Sequence, residues 1–326
     1  MANTNPLWSL YRADNARTPP RLVLDWLQEE NVPPWRWLRT VATAPKVPGL
    51  SDAAERRGKK YVSLSPAEEL KINMALLLRR PLLVTGRPGI GKTMLAYHLA
   101  WKLGLGEPLR WNIGSQSTLH DGLYHYDAIG HLHARDGGKG DNVDDIGDHI
   151  TLGPLGTALL PTALPRVLLI DELDKATFDL PHDLLHVFEE GSYTIPELQR
   201  SSTPTSSVTP CDAHLPGAAT KVSLEKGALR ARHHPVVVVT SNDERDFPEA
   251  LVRRCVRLEM KTPTGDKLRD IVRNHLPGAD EAQITTIEGL MGTDPEATDV
   301  FLQTLFLIGK GGDAKAVLDV LRRGRA

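Results

Sequence analysis

Cysteine is nearly absent from this 326-residue chain, with only Cys211 and Cys255 present. Neither sits in a metal-ligand or redox spacing, which sets aside a cysteine metal site and a disulfide framework and leaves two free thiols. Long apolar runs are also missing. None approaches the ~20 residues that span a bilayer, and the first residues, MANTNPLWSLYRADNARTPP, lack the apolar core of a secretory leader. The expected compartment is therefore the cytoplasm, with no membrane span. Neither sign of charge dominates: 39 Lys and Arg face 41 Asp and Glu, for a net charge of −2. That balance argues against a constitutive polyanion binder, and nothing reads as a helix-turn-helix or a basic, aromatic nucleic-acid face. Histidines at 120, 125, 131, 133 and 149 fit no ligand spacing. His182 and His186 in HDLLH lack the glutamate and third ligand of a zinc-protease helix.

What the chain does have is PLLVTGRPGIGKTML, residues 81–95. Leu82, Leu83 and Val84 read as a short buried strand, and MLAYHLAWKL reads as a helix. Between them lies GRPGIGKT, made of Gly86, Arg87, Pro88, Gly89, Ile90, Gly91, Lys92 and Thr93, with Met94 next. Strand, Gly-rich loop, Lys-Thr and helix in this order make a phosphate cradle. Its glycines let backbone N–H groups turn toward an anion, and the helix adds its positive end. Lys92 would reach the β/γ-phosphates of ATP, and the Thr93 hydroxyl would hold Mg²⁺.

A second stretch, PRVLLIDELDKA, is a strand over Val167–Ile170 that ends in Asp171-Glu172. A carboxylate pair at the carboxyl end of such a strand faces the loop. Asp171 would hold Mg²⁺ through water, and Glu172 would orient the attacking water. In a third stretch, Val236–Val239 forms a buried strand ending in Thr240-Ser241-Asn242. A short helix from Pro248 then carries Arg253 and Arg254, and CVRLEM reads as another strand.

The remainder organises around these pieces. Residues 1–60 form an arm and connector holding Trp8, Trp26, Trp35 and Trp37. Pro19-Pro20 starts a helix that Pro33-Pro34 stops, PPWRW reads as extended, and 45–60 as a polar connector. The arm either packs its tryptophans onto the core or contacts a partner or neighbouring subunit. SPAEELKINMALLLRR opens with a capping box, Ser65 and Glu68, and its apolar face is Leu70, Met74, Leu77 and Leu78. Tyr61 to Ser65 falls near the nucleotide base. Residues 108–113 have strand composition, and a Gly/Asp-rich insertion lies near 134–148. Asp179 caps a helix with Leu184, Leu185 and Phe188 inward. The Ser/Thr/Pro-rich segment 201–219 reads as a mobile loop or insertion, with KVSLEKGALRARHH able to close a hairpin around it. Beyond Pro263 the period is wholly helical, giving a small α-helical domain over 263–326 beside an α/β domain over 61–262.

Three strands ending in GKT, Asp-Glu and Ser-Asn, then an Arg pair, then a helical lid, resemble the AAA+ ATPases. LLIDELDKA, LLHVFEEGSYTIPEL and GPLGTALLP look like the MoxR branch, and the resemblance covers roughly residues 60–300. It implies a P-loop NTPase fold: a parallel sheet sandwiched by helices, followed by a small α-helical lid. It implies ATP and Mg²⁺ as cofactors, Lys92 and Thr93 as Walker A, Asp171 and Glu172 as Walker B, and Asn242 as sensor 1. Arg254, or failing it Arg253, matches the arginine finger. A self-assembled ring, usually a hexamer, and a remodelled protein partner, in many relatives one with a von Willebrand factor A domain, are implied too. One departure stands out: the sensor 2 arginine has no counterpart near TDPEATDVFLQ. A nucleotide-gated assembly switch with slow hydrolysis would carry the same motifs.

Overall fold

Five parallel strands run side by side in the order Val256–Glu259, Leu82–Thr85, Val236–Ser241, Val167–Asp171, Leu109–Asn112. This is a computed structural model, and it describes residues 6–14, 16–38, 45–61, 64–136, 146–291 and 298–323. Strands this short and this rich in Val, Ile and Leu need burial on both faces. Their side chains alternate accordingly. Leu83, Leu168, Ile170, Val237 and Val239 enter one core, and Leu82, Val84, Val167, Leu169, Val236 and Val238 the other. Helix Leu180–Glu190 closes the first face with Leu184 and Phe188. Helices Lys92–Leu103 and Pro66–Leu78 close the second with Leu95, Leu99, Ile72 and Leu76. The register sets Thr85 opposite Ser241, and Val239 opposite Ile170. The carboxyl ends of the three innermost strands are therefore level.

Helix Pro66–Leu78 has the expected capping box: Ser65 Oγ accepts from the Glu68 N–H, and the Glu68 carboxylate accepts from the Ser65 N–H. Its buried face is only partly the expected one: Met74 and Leu77 pack half-buried against the second core. Leu70 is exposed, and Ile72, Asn73, Ala75 and Leu76 are buried instead. The reason is the N-terminal arm. Tyr11 N–H donates to Asn73 Oδ1 at 2.9 Å and Asn73 Nδ2 donates back to Tyr11 O at 2.8 Å. An apolar-periodicity reading cannot anticipate a face recruited through a buried amide. Leu10, Tyr11, Val23 and Trp26 join the second core, and Trp26 Nε1 donates to Leu76 O at 3.1 Å. Trp26 alone of the four arm tryptophans is buried; Trp8, Trp35 and Trp37 are exposed.

Several local expectations change. The helix begun at Pro20 ends at Trp26, and a 3-10 turn over Glu29–Asn31 follows. PPWRW is not extended but makes a 3-10 turn over Pro34–Arg36. The connector contains helix Asp52–Lys59, capped by Ser51 Oγ accepting from the Ala54 N–H. Its Gly58 lies so close to Trp101 and the Tyr97 carbonyl that a β-carbon would collide with them. Asp179 precedes its helix but makes no side-chain capping bond. The 201–219 segment is held in the fold rather than loose. Thr205–Val208 pairs antiparallel with Val222–Glu225, Val208 is buried, and Thr209 exchanges backbone bonds with Ile150 and Leu152. A buried ion pair, Arg166 to Asp212 at 2.7 Å, pins its far end. The strand Ala228–Arg230 pairs with Ser192–Thr194, so the expected hairpin closure is present. The 134–148 insertion is described only in part, since 137–145 lie outside the described residues.

After Pro263 come helices Gly265–His275, Glu281–Met291, Thr298–Ile308 and Ala314–Arg323. Leu268, Val272, Ile284, Ile287, Phe301 and Leu305, all from the first three of these helices, form a separate core. No helix among the described residues is long and apolar enough to cross a membrane.

Candidate functional site

The loop after Leu82–Thr85 turns at once because Gly86 and Gly91 hold positive φ of 144° and 95°. A β-carbon on Gly86 would strike the Met260 carbonyl oxygen, whereas one on Gly91 would meet nothing within 4 Å. The first glycine is therefore needed for packing, and the second leaves open space at the start of helix Lys92–Leu103. Lys92 points back over the loop. Its Nζ donates to Gly86 O at 2.6 Å, Arg87 O at 2.9 Å and Asn242 Oδ1 at 2.7 Å. Burial lowers its pKa, against which Asp174, Asp171, Asp243 and Glu172 favour the ammonium. Lys92 and Asn242 were singled out from stretches 150 residues apart, and the fold makes them direct partners.

Asp171 ends its strand beside Thr93. Its Oδ1 accepts from Thr93 Oγ1 at 3.0 Å and from Thr240 Oγ1 at 2.6 Å. Its Oδ2 accepts from Arg110 at 2.7 Å. Glu172 adopts a left-handed backbone, φ 62°, in which its N–H donates to Thr240 Oγ1 at 2.9 Å. A non-glycine residue in this region is strained and is retained only where neighbours determine it. The turn aims the Glu172 side chain away from its strand, where its carboxylate pairs with Lys175 at 2.7 Å. Asp171, Glu172 and Asn242 thus sit at the ends of adjacent strands, on the edge where the loop begins.

Two participants, Asp174 and Arg110, were missed in the sequence, and a third, Thr240, was read only as part of a polar strand end. Asp174, nearly fully buried, accepts the Asn242 N–H at 2.8 Å, so it fixes the backbone that carries Asn242. Thr240 bridges Asp171 and the Glu172 backbone. Arg110 reaches Asp171 from the neighbouring edge strand. Asp174 had a usable signal, a carboxylate repeated within DELD, and Thr240 had one in its polar strand end; Arg110 depends on strand order.

Arg254 and Arg253 lie at the end of helix Glu249–Arg254. Arg254 pairs with Glu189, and Arg253 with Glu249 at 2.5 Å. Among the described residues neither bonds to Lys92, Asp171, Glu172 or Asn242, so the fold does not join them to this chain's own cluster. Beside the loop, a cavity with about 780 Å³ of empty space, its mouth included, runs between the sheet domain and the lid. Tyr61, Leu64, Ile90, Met94 and Met260 form its apolar wall, and Lys267, Thr298 and Leu302 come from the lid. Tyr61 and Leu64, from the segment expected to face the base, line this cavity; residues 62 and 63 lie outside the described residues. Helix Thr298–Ile308 brings no arginine to the cavity, and 293–297, the rest of the expected sensor 2 stretch, lie outside the described residues.

The residues present fit a bound phosphate chain and magnesium. The space above Gly91 is open, Lys92 is a cation at the loop, and Thr93 and Asp171 offer the hard oxygens magnesium requires. A phosphate-binding parallel-sheet protein with a helical lid is the class these features define. The sequence model for the ATPase family associated with various cellular activities (AAA) matches residues 82–263, more than half of the chain. The chain belongs to that family, and its fold is the AAA P-loop NTPase fold. Among solved structures it is similar to one described as the crystal structure of FIGL-1 AAA domain in complex with ADP. Identity is 20%, the TM-score is 0.35, and the match covers 70% of this chain and 60% of that chain. No curated protein matches.

Proposed function

We propose that this chain is a MoxR-like, Mg²⁺-dependent ATPase that works in a ring, usually a hexamer in that branch, and remodels a protein partner. The observation that carries the reading is the convergence of Lys92, Thr93, Asp171, Glu172 and Asn242 at the ends of three adjacent strands. In this reading Lys92 exchanges its two carbonyl partners for phosphate oxygens, which a carbonyl-bound ammonium is poised to do. Magnesium held by Thr93 and, through water, by Asp171 would supply charge neutralisation on the phosphates. Asn242 fixes the attacking water, and Glu172 accepts its proton once released from Lys175. Arg254, free of its own chain's cluster, serves the neighbouring subunit's ATP, with Arg253 as fallback. The 61–262 and 263–326 units are the motor and its lid, with 1–60 as an accessory arm. The partner class follows the MoxR resemblance and includes proteins with a von Willebrand factor A domain.

The test is Glu172→Gln. ATP binding should persist while hydrolysis falls by about 10²–10⁴-fold, the range for loss of a general base. Turnover close to wild type would remove Glu172 from the role. A nucleotide-gated assembly switch is the second reading, favoured by the Lys175–Glu172 pair, which keeps the base engaged elsewhere. Partner-stimulated, repeated turnover would decide for the motor; ATP-dependent assembly without it would decide for the switch.

A further inference from the structure

A second large cavity lies away from the loop, between the arm and the segment that enters strand Val236–Ser241. It has about 730 Å³ of empty space, its mouth included, and shares no lining residue with the cavity beside the loop. Its charge is lopsided. Arg36, Arg79, Arg232, His233 and His234 line it, against a single carboxylate, Glu29.

Two of these guanidiniums are more than nine-tenths buried: Arg36 is 7% exposed and Arg79 is 9% exposed. Neither has a carboxylate partner among the described residues. Arg79 donates to Trp26 O at 2.5 Å and Leu76 O at 3.2 Å and lies over the Trp26 ring. Arg36 donates to Phe188 O at 2.9 Å. Carbonyls engage some of the N–H groups but leave the charge uncompensated, and an unpaired buried charge is destabilising. Burial lowers the Arg79 pKa to about 9, which reflects that cost. The carboxylate whose charge favours the Arg36 cation, Glu189, is already engaged by Arg254. Arg232 is exposed and makes no hydrogen bond or ion pair among the described residues. His234 is buried, and its Nε2 has no hydrogen-bond partner. Burial and the nearby guanidiniums keep His233 and His234 neutral, with pKa values lowered to about 4.

Uncompensated cations and open volume occur together here. An anion would supply the missing countercharge. Trp37 and Leu27 add an apolar wall, so there is room for a body larger than the charged group. We propose that this pocket binds a small, multiply charged oxyanion, either a phosphate or a polycarboxylate compound, independently of the nucleotide at Lys92. The guanidiniums would donate to its oxygens in the planar fork geometry that suits both chemistries.

The test uses the full chain carrying Lys92→Ala, which disables the nucleotide loop and any nucleotide a neighbouring copy could present. Inorganic pyrophosphate and citrate are titrated separately by calorimetry. Saturable one-to-one binding of either is expected, and which one binds identifies the phosphate or the carboxylate chemistry. Adding Arg232→Ala, an exposed position that leaves the core intact, should weaken it by about tenfold or more, as for loss of one charge-assisted bond. Arg36→Lys, which keeps the charge but loses the fork, should weaken it as well. No saturable binding of either probe, or binding that Arg232→Ala leaves unchanged, would overturn the proposal.

Discussion

The sheet domain and the lid are built to different standards. In the sheet domain, two cores share one five-stranded sheet. Leu168, Leu169, Ile170, Val238 and Val239 have no measurable exposure. The lid core draws six buried residues from three of its four helices, while Phe306 and Val320 stay exposed at 51% and 69%. The first region holds polar groups in fixed register; the second is a small body with little to lose by moving. The cavity beside the loop is walled by both regions. Small cores have low stability, and elements that move are drawn from that low end.

The contrast can be broken most directly by cavity-making substitutions. Leu169→Ala should cost about 2–5 kcal/mol and lower the main thermal transition. Phe301→Ala should melt the lid first and leave the sheet domain's transition in place; calorimetry resolving one shared transition in both variants would refute the two-standard picture. Lys92→Ala should weaken ATP binding by about 10²-fold, the scale of a lost charge-assisted contact in a partly buried site, with unchanged melting of the apo chain. Fluorescent nucleotide titration measures the first and scanning calorimetry the second.

A pH test probes the rigid side alone. His98, buried under the arm with Nδ1 2.8 Å from Gly58 O, has its pKa lowered to about 4 by burial. The unfolded chain takes up a proton near the ordinary value of about 6.5, so it binds more protons than the folded chain between the two values. Stability is therefore fully present above about pH 6.5 and is lost as pH falls toward 4, by about 3 kcal/mol for this one group. His98→Asn, which keeps a donor but does not titrate, should flatten that part of the profile; an unchanged slope in chemical denaturation would exclude His98. The smallest expected effect is Asp174→Asn. It should lower turnover by about tenfold through misplacement of Asn242 while ATP affinity holds, as a supporting group rather than a reacting one would. A matching loss of affinity would instead mark Asp174 as part of the phosphate site.

What was legible in the sequence follows the same division. The loop, Asp171-Glu172 and Thr240-Ser241-Asn242 could be read because each is a local pattern: a buried strand followed by polar or glycine residues. The lid helices could be read from periodicity, and Leu268, Val272, Ile284 and Phe301 indeed form their core. The partners of these groups could not. Arg110 touches Asp171 only because its strand takes the place next to Val167–Asp171, and Asn73 is buried only because Tyr11 needs its amide. The helix within the connector was hidden by its charge, and the strand Thr205–Val208 within 201–219 by its Ser and Thr content. In both cases docking against the domain, at Gly58 and Val208, supplies the stability that local composition does not advertise.

Gly86 carries one more implication. Its bare backbone lies under the Met260 carbonyl, and Met260 N–H donates to Thr85 O at 2.8 Å. Met260 is also where the chain leaves the sheet for the tether into the lid. The mouth of the phosphate loop and the first residue of the tether into the lid are therefore packed main chain against main chain, so a side chain added at Gly86 would push on the tether itself.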